Sequence, residues 1–207
     1  MVKLRVKIYV EGGGEGRPLK MECRKGLRLF FEKAGLQGAM PAIVACGSRG
    51  NAYQDFCTAL RTAAKDECPL LLVDSEASIT GSSPWQHLKN RPGDSWDRPA
   101  RASDDHAHLM VQCMESWFLA DRAALAKFFG SKFSTNALPV ASQIEDVAKQ
   151  KVYDGLKAAI KPTKSGSYQK GKHSFKLLAE ISPAQVQKAS PWAKRLIDFL
   201  RTPKIKS

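Results

Sequence analysis

Leu4, Val6, Ile8 and Val10 alternate with Arg5, Lys7 and Tyr9. A period of two marks a strand, and the mixed character of this one predicts that one of its faces is less covered. The glycine-rich run Glu11-Gly12-Gly13-Gly14-Glu15-Gly16 follows, and Pro18 is suited to the first turn of a helix. Leu19, Cys23, Leu27, Phe30, Phe31 and Ala34 then recur at helical spacing, with Gly35 as the stop. Ala42 to Gly47 is a short apolar run of the kind found in buried parallel strands. Ala52, Phe56, Ala59, Leu60 and Ala63 form a second helical stripe, and Pro69 to Val73 is apolar throughout. The order β-α-β-α-β predicts a parallel sheet with right-handed crossovers.

Residues 78–103 break the alternation with Gly81, Ser82, Ser83, Pro84, Pro92, Gly93 and Pro99. A connection this long in a compact domain is usually functional or disordered. Trp85, Leu88 and Trp96 predict that it packs over the sheet edge. His106 to Cys113 resumes a strand pattern, and Met114 to Ala120 and Arg122 to Phe129 read as one broken helix or two abutting ones. A longer helix is expected from Ser142 or Gln143 through Ile160, a short one over Phe175 to Ile181, and a long one over Pro183 to Leu200. The tail Lys204-Ile205-Lys206 is expected to fray. The expected fold class is α/β: a mostly parallel sheet of four or five strands flanked by helices over residues 1–129, with 77–104 as a loop insertion. A helical part, 130–207, is expected to pack on it within one domain overall.

Composition changes this picture in one respect. The chain of 207 residues is 43% apolar, ordinary for a globular protein, but 33 basic residues face 20 acidic ones, for a net charge of +13. That balance favours an anionic partner, against the plainer reading of a soluble protein that is simply basic. No run approaches the roughly 20 apolar residues of a membrane span, and the start of the chain lacks a secretory apolar core. Five cysteines without a C-x-x-C pair argue against a disulfide framework or a zinc ribbon. They read as reduced thiols of a cytoplasmic protein.

The chemistry lies where the strand patterns stop. The first ends at Glu11, with Glu15 four residues on; the third runs into Asp74 and Glu76; the fourth leads to Glu115. The carboxyl ends of parallel strands share one edge, where ligands bind in open α/β sheets. Acids gathered there repel one another unless a cation or shared protons intervene. A hard divalent ion, Mg²⁺ or Mn²⁺, suits such oxygen ligands. Asp74 and Glu76, two apart in extended chain, point the same way. Glu15 and Glu115 also have a structural reading, as acids favoured at helix N-termini. The glycine run is neither a Walker A loop nor a dinucleotide fingerprint. Such a metal site suits phosphoryl transfer. The basic segment carrying Lys161, Lys164, Lys170, Lys172 and Lys176 is the candidate contact for nucleic acid, with Tyr168 available to stack on a base. A solvated charge run is the equal alternative. His173 is a candidate proton donor to a leaving oxygen, against the commoner structural histidine.

A strand ending in Val10-Glu11-Gly12, a crossover, and an apolar strand ending in Asp74-Ser75-Glu76 resemble the Toprim fold of topoisomerases, bacterial-type primases and OLD nucleases. The resemblance implies that Glu11, Asp74 and Glu76 bind Mg²⁺ and serve strand cleavage, nucleotidyl transfer or hydrolysis. More narrowly, Val10 to Glu15, Leu71 to Glu76, Met114 to Asp121 and Tyr168 to His173 are similar to the bacterial family called domain of unknown function 4276, over most of the chain. That similarity implies a Toprim-like, Rossmannoid, metal-dependent nuclease hydrolysing phosphodiester bonds in DNA or RNA. It also implies a setting in bacterial phage defence with an ATPase partner protein. The chain departs from the strict Toprim pattern in having Asp-x-Glu for Asp-x-Asp. It has no tyrosine placed as a topoisomerase nucleophile and lacks the primase zinc cysteines. Two other readings stand beside this one: a non-catalytic nucleic-acid-binding or sensing subunit, and a small-molecule phosphoryl-transfer enzyme.

Overall fold

The computed structural model describes residues 4–203, so the tail from Lys204 onward lies outside the described residues. The strands are β1 (Arg5–Gly13), β2 (Ala42–Gly47), β3 (Glu67–Asp74) and β4 (Ala107–Met110). They form one sheet in the order β2-β1-β3-β4, every pairing parallel. Helix α1 (Arg17–Lys33) joins β1 to β2, and α2 (Arg49–Thr62) joins β2 to β3. Right-handed crossovers running in opposite directions along a sheet must place their helices on opposite faces. The two cores reflect this. Ile8, Val10, Leu70, Leu72 and Met110 pack beneath α1, and Tyr9, Leu71, Val73 and Leu109 beneath α2. Leu70 to Val73 are wholly buried on both faces, as a central parallel strand requires. Burial of each such side chain contributes about 1.5–3 kcal/mol.

The long connection is folded. Helix α3 (Pro84–Asn90) lies within it, with the Ser83 side chain accepting from the Gln86 N–H. Trp85 and Leu88 enter the α2-side core, and Trp85 Nε1 donates to the Ser103 carbonyl at 2.9 Å. Trp96 stacks on Tyr53 of α2 with ring centroids 4.2 Å apart. The segment thus covers the α2 face and reaches the carboxyl edge of the sheet through Asp94, which pairs with Arg49, and through His87, whose Nε2 lies 2.8 Å from the Ser75 carbonyl oxygen.

The fourth strand is shorter than the pattern predicts, and Met114–Ala120 is a 3₁₀ helix abutting α4 (Arg122–Phe129). The helix expected from Ser142 is split. A 3₁₀ turn at Ile144–Asp146 precedes α5 (Lys149–Ile160), with Val147 and Ala148 extended between them. Glu145 accepts hydrogen bonds from the Ser190 hydroxyl and the Trp192 N–H, which ties that turn to the C-terminal helices. Helix α6 (Lys170–Glu180) begins five residues before the predicted start. The predicted long final helix is two, α7 (Pro183–Ala189) and α8 (Pro191–Arg201). Proline disfavours the helical conformation in the residue before it, and Ser190 is extended and caps α8 instead. Leu156, Leu178, Leu196 and Ile197 join the α1-side core. Cys23, Cys46, Cys68 and Cys113 are free and buried, and burial pushes each thiol up to about 12.

Candidate metal centre

The chain runs from β1 outward to β2, then returns past β1 to β3. The order reverses between β1 and β3, so the crevice at their carboxyl ends is the topological switch point, the favoured ligand position in such sheets. Glu11 stands at the end of β1 and Asp74 at the end of β3. Past Val10 the β1–β2 register slips, and Glu11, Gly12 and Gly13 all face Gly47. Gly47 has φ +87°, and a Cβ there would lie 2.4 Å from the Gly14 carbonyl oxygen. Only glycine permits this close crossing of the two strand ends.

Glu11, Asp74 and Glu76 each present a carboxylate oxygen within 4.8 Å of the others. Asp74 is enclosed, and Met114 N–H donates to its Oδ1 at 2.9 Å. Burial first, then the charges of Glu11 and Glu115, push its carboxyl up to about 8 against the pull of Lys170 and Lys149. Glu76 has φ +66°, a region costly for a non-glycine residue. Its N–H donates to the carbonyl of Gln112, itself at φ +60°, at 2.9 Å. Gln112 N–H in turn donates to Ser75 Oγ at 2.7 Å. This interlock holds Glu76 beside Asp74, in a strained conformation of the kind that clusters at functional sites.

Each of the three acids has its own base. Arg49 donates to Glu11 at 3.2 Å and to the Asp74 carbonyl. It is fixed from behind by Asp94 at 2.6–3.0 Å and by the Trp96 ring at 5.0 Å. Lys149 Nζ donates to Glu76 at 2.5 Å. Lys170 Nζ is 4.0 Å from Asp74 Oδ2. Loss of solvation by itself lowers the Lys170 pKa, but the negative charges of Glu115, Asp74 and Glu11 outweigh it and hold the group above its ordinary value. Arg49, Lys149 and Lys170 are the first residues of α2, α5 and α6, and none of those helices has an acid in its first turn. Three cations, each opening a helix, therefore meet the three carboxylates.

The family's sequence profile, described as domain of unknown function DUF4276, matches residues 10–201. The chain belongs to the DUF4276 family. No curated protein and no solved structure matches it. The matched span holds every residue of the centre in this DUF4276 protein. Its four-stranded sheet resembles the Toprim-like Rossmannoid arrangement, and the Glu11–Asp74–Glu76 cluster is compatible with a divalent cation. The fit rests on the donor set: three carboxylates without thiol or imidazole, which suits a hard ion.

The remaining predicted site residues of the DUF4276 chain fall elsewhere. Glu15 is exposed on the turn before α1, outside the cluster. Glu115 is fully buried beneath the cluster's edge and accepts from Tyr153 OH at 2.9 Å, Tyr168 OH at 3.0 Å and Ser174 Oγ at 3.0 Å. Tyr168 is thereby turned inward and is not presented for stacking on a base. His173 is buried against Phe128, Phe129 and Tyr168, and its Nδ1 accepts the Gln169 N–H at 3.0 Å. It caps α6, and burial first, then Lys172 and Lys176, lower its pKa. Lys161 and Lys164 are exposed before α6, and Lys172 and Lys176 on it, while Lys170 alone of these lysines reaches the acids. Sequence reasoning missed Arg49, Lys149 and Asp94. The available signal was a cation at the first position of a helix, where the dipole disfavours it.

Proposed function

We propose that this protein is a Toprim-like, Mg²⁺- or Mn²⁺-dependent phosphodiesterase acting on DNA or RNA. The observation that carries the reading is the three-carboxylate cluster at the switch point, ringed by bases that start three helices. Glu11, Asp74 and Glu76 would hold the ion. A bound divalent cation supplies charge neutralisation on the phosphate and hydroxide near neutral pH. The chain's own residues do the rest. Lys170, about half exposed, is free to turn from Asp74 to a phosphate oxygen. Lys149 can do the same from Glu76, and Arg49, locked by Asp94, keeps Glu11 aimed at the cluster. The exposed lysines Lys161, Lys164, Lys172 and Lys176 extend the positive surface for a polyanion.

The test is cleavage of single- and double-stranded DNA and of structured RNA at low salt with Mn²⁺ or Mg²⁺, with folded Asp74→Asn protein as control. Metal-dependent cleavage by the wild type, absent in the control, is expected. Equal cleavage by both proteins would overturn the assignment. One observation favours a second reading: each acid already lies beside a base of the same chain, an arrangement that also suits a structural element of a nucleic-acid-binding subunit. Undiminished nucleic-acid affinity without turnover in metal-stripped protein would favour it. The family resemblance adds a phage-defence setting and an ATPase partner to the proposal, and an activity that appears only on adding that ATPase would support both.

A further inference from the structure

A cavity of about 340 Å³ opens directly against Glu11 and Asp74, between the glycine turn and α6. Its composition does not match the acids beside it. Leu19, Met110, Met114 and Phe175 supply apolar lining, and Gly12, Gly13, Gly14 and Gly47 contribute backbone. Lys170 and Gly171 of α6 stand at its border. A phosphodiester backbone alone needs the acids and Lys170, and leaves the apolar lining without a use. The base of a nucleoside has flat, apolar faces that such a lining fits. The volume lies at the lower end of the roughly 300–1,000 Å³ of small-molecule sites, so it takes one nucleoside and cannot take a base pair within a helix. A base in a duplex must first be unstacked and unpaired, at a few kcal/mol, and the cost is least for a strand already single.

We propose that this cavity seats one unstacked nucleoside of a single strand beside the phosphate presented to Glu11, Asp74 and Glu76. The proposal rests on the phosphodiesterase reading and narrows it to single-stranded nucleic acid or frayed strand ends. The lining offers methyl, thioether and ring surface together with backbone groups, so purines and pyrimidines are both accepted. Lys170 at the border takes the phosphate attached to the seated nucleoside.

Gly171 makes the cavity testable. A Cβ built there meets only the Leu19 methyls, at 3.7 and 3.9 Å, and both residues line the cavity. Gly171→Ala adds one methyl in ordinary contact with Leu19 and keeps the space nearly intact, so it serves as the folding control. Gly171→Leu fills the space. Binding of adenosine and cytidine 5′-monophosphates is measured by calorimetry in Mn²⁺, alongside a Mn²⁺ titration of each protein. The wild type and Gly171→Ala are expected to bind both nucleotides. Gly171→Leu is expected to bind them at least about tenfold more weakly, with Mn²⁺ affinity unchanged, because apolar area is displaced and no charge is. Single strands are expected to be cut at least about tenfold faster than blunt duplex of the same sequence. Equal nucleotide binding by Gly171→Leu, or duplex cut as fast as single strand, would overturn the cavity's role while leaving the metal reading in place. Nucleotide binding absent from a wild type that binds Mn²⁺ would do the same. A wild type that binds no Mn²⁺ would overturn both.

Discussion

Two groups of carboxylates lie side by side at the carboxyl edge of this sheet, and they are held in opposite ways. Glu115 is wholly buried, and its oxygens are taken by two tyrosine hydroxyls and a serine hydroxyl, fixed neutral donors from α5, α6 and the segment before α6. Glu11 and Asp74 border a cavity with Glu76 beside them, and the side-chain partners of the three are the charged heads of two lysines and one arginine. A carboxylate enclosed by neutral hydroxyls is a structural post, because removing either side leaves buried polar groups unpaired. A carboxylate paired with a base at a cavity mouth can exchange that base for a metal ion, and the freed base can take a phosphate. Proximity to one sheet edge therefore does not make an acid a ligand; the nature of its partners decides.

The widest separation between the two groups is expected in activity. Asp74→Asn should lower metal-dependent cleavage on the order of 10³-fold while the protein stays folded, measured by turnover on single-stranded DNA with circular dichroism as the fold control. Stability should move the other way. Glu115→Ala strands Tyr153, Tyr168 and Ser174 and should cost about 3 kcal/mol or more in urea unfolding. The Mn²⁺ affinity of whatever remains folded should be little changed. A Glu115→Ala protein as stable as wild type would break the comparison.

The Asp74 carboxyl, raised to about 8 by burial and by Glu11 and Glu115, gives a pH test in EDTA. Its unfolded value is about 3.9, so the folded metal-free state binds the extra proton between these limits. The sign follows: this group's stabilising contribution is full below about pH 4 and is lost as pH rises toward 8. Asp74→Asn should therefore flatten the fall in melting temperature between pH 5 and 8, and raise it at pH 8. A steeper fall in the variant would contradict the burial argument.

Lys149→Met removes the base that competes for Glu76. Mn²⁺ should bind a few-fold more tightly, and the salt dependence of nucleic-acid binding should lose about one charge in slope. The smallest effect is expected of Tyr168→Phe, which should cost about 1 kcal/mol of stability and leave nucleic-acid affinity unchanged. A loss of affinity there would restore Tyr168 to the binding surface.

The clustered acids were legible because Glu11 and Asp74 close apolar strands and Glu76 follows two residues on, and the topology of a parallel sheet brings strand ends together whatever the loops do. Two of the bases were not, because Arg49 and Lys149 stand singly at the starts of distant helices, whereas Lys170 was visible only as one lysine of a basic run, without its link to Asp74. Tyr168 was misleading for a related reason. An aromatic residue among lysines has the same local pattern whether it faces solvent or a buried acid, and only the pairing with Glu115 separates the two. The break at Pro191 was open to simple stereochemistry, whereas the split before α5 depends on Glu145 reaching Ser190 and Trp192 across the fold.

The central claim is that partners distinguish a ligand acid from a structural one, and calorimetric titration of Mn²⁺ into wild type, Asp74→Asn and Glu115→Gln tests it most directly. Saturable binding in the wild type and in Glu115→Gln, with none in Asp74→Asn, is the predicted result. Equal binding in the wild type and Asp74→Asn, or none in the wild type, would contradict it.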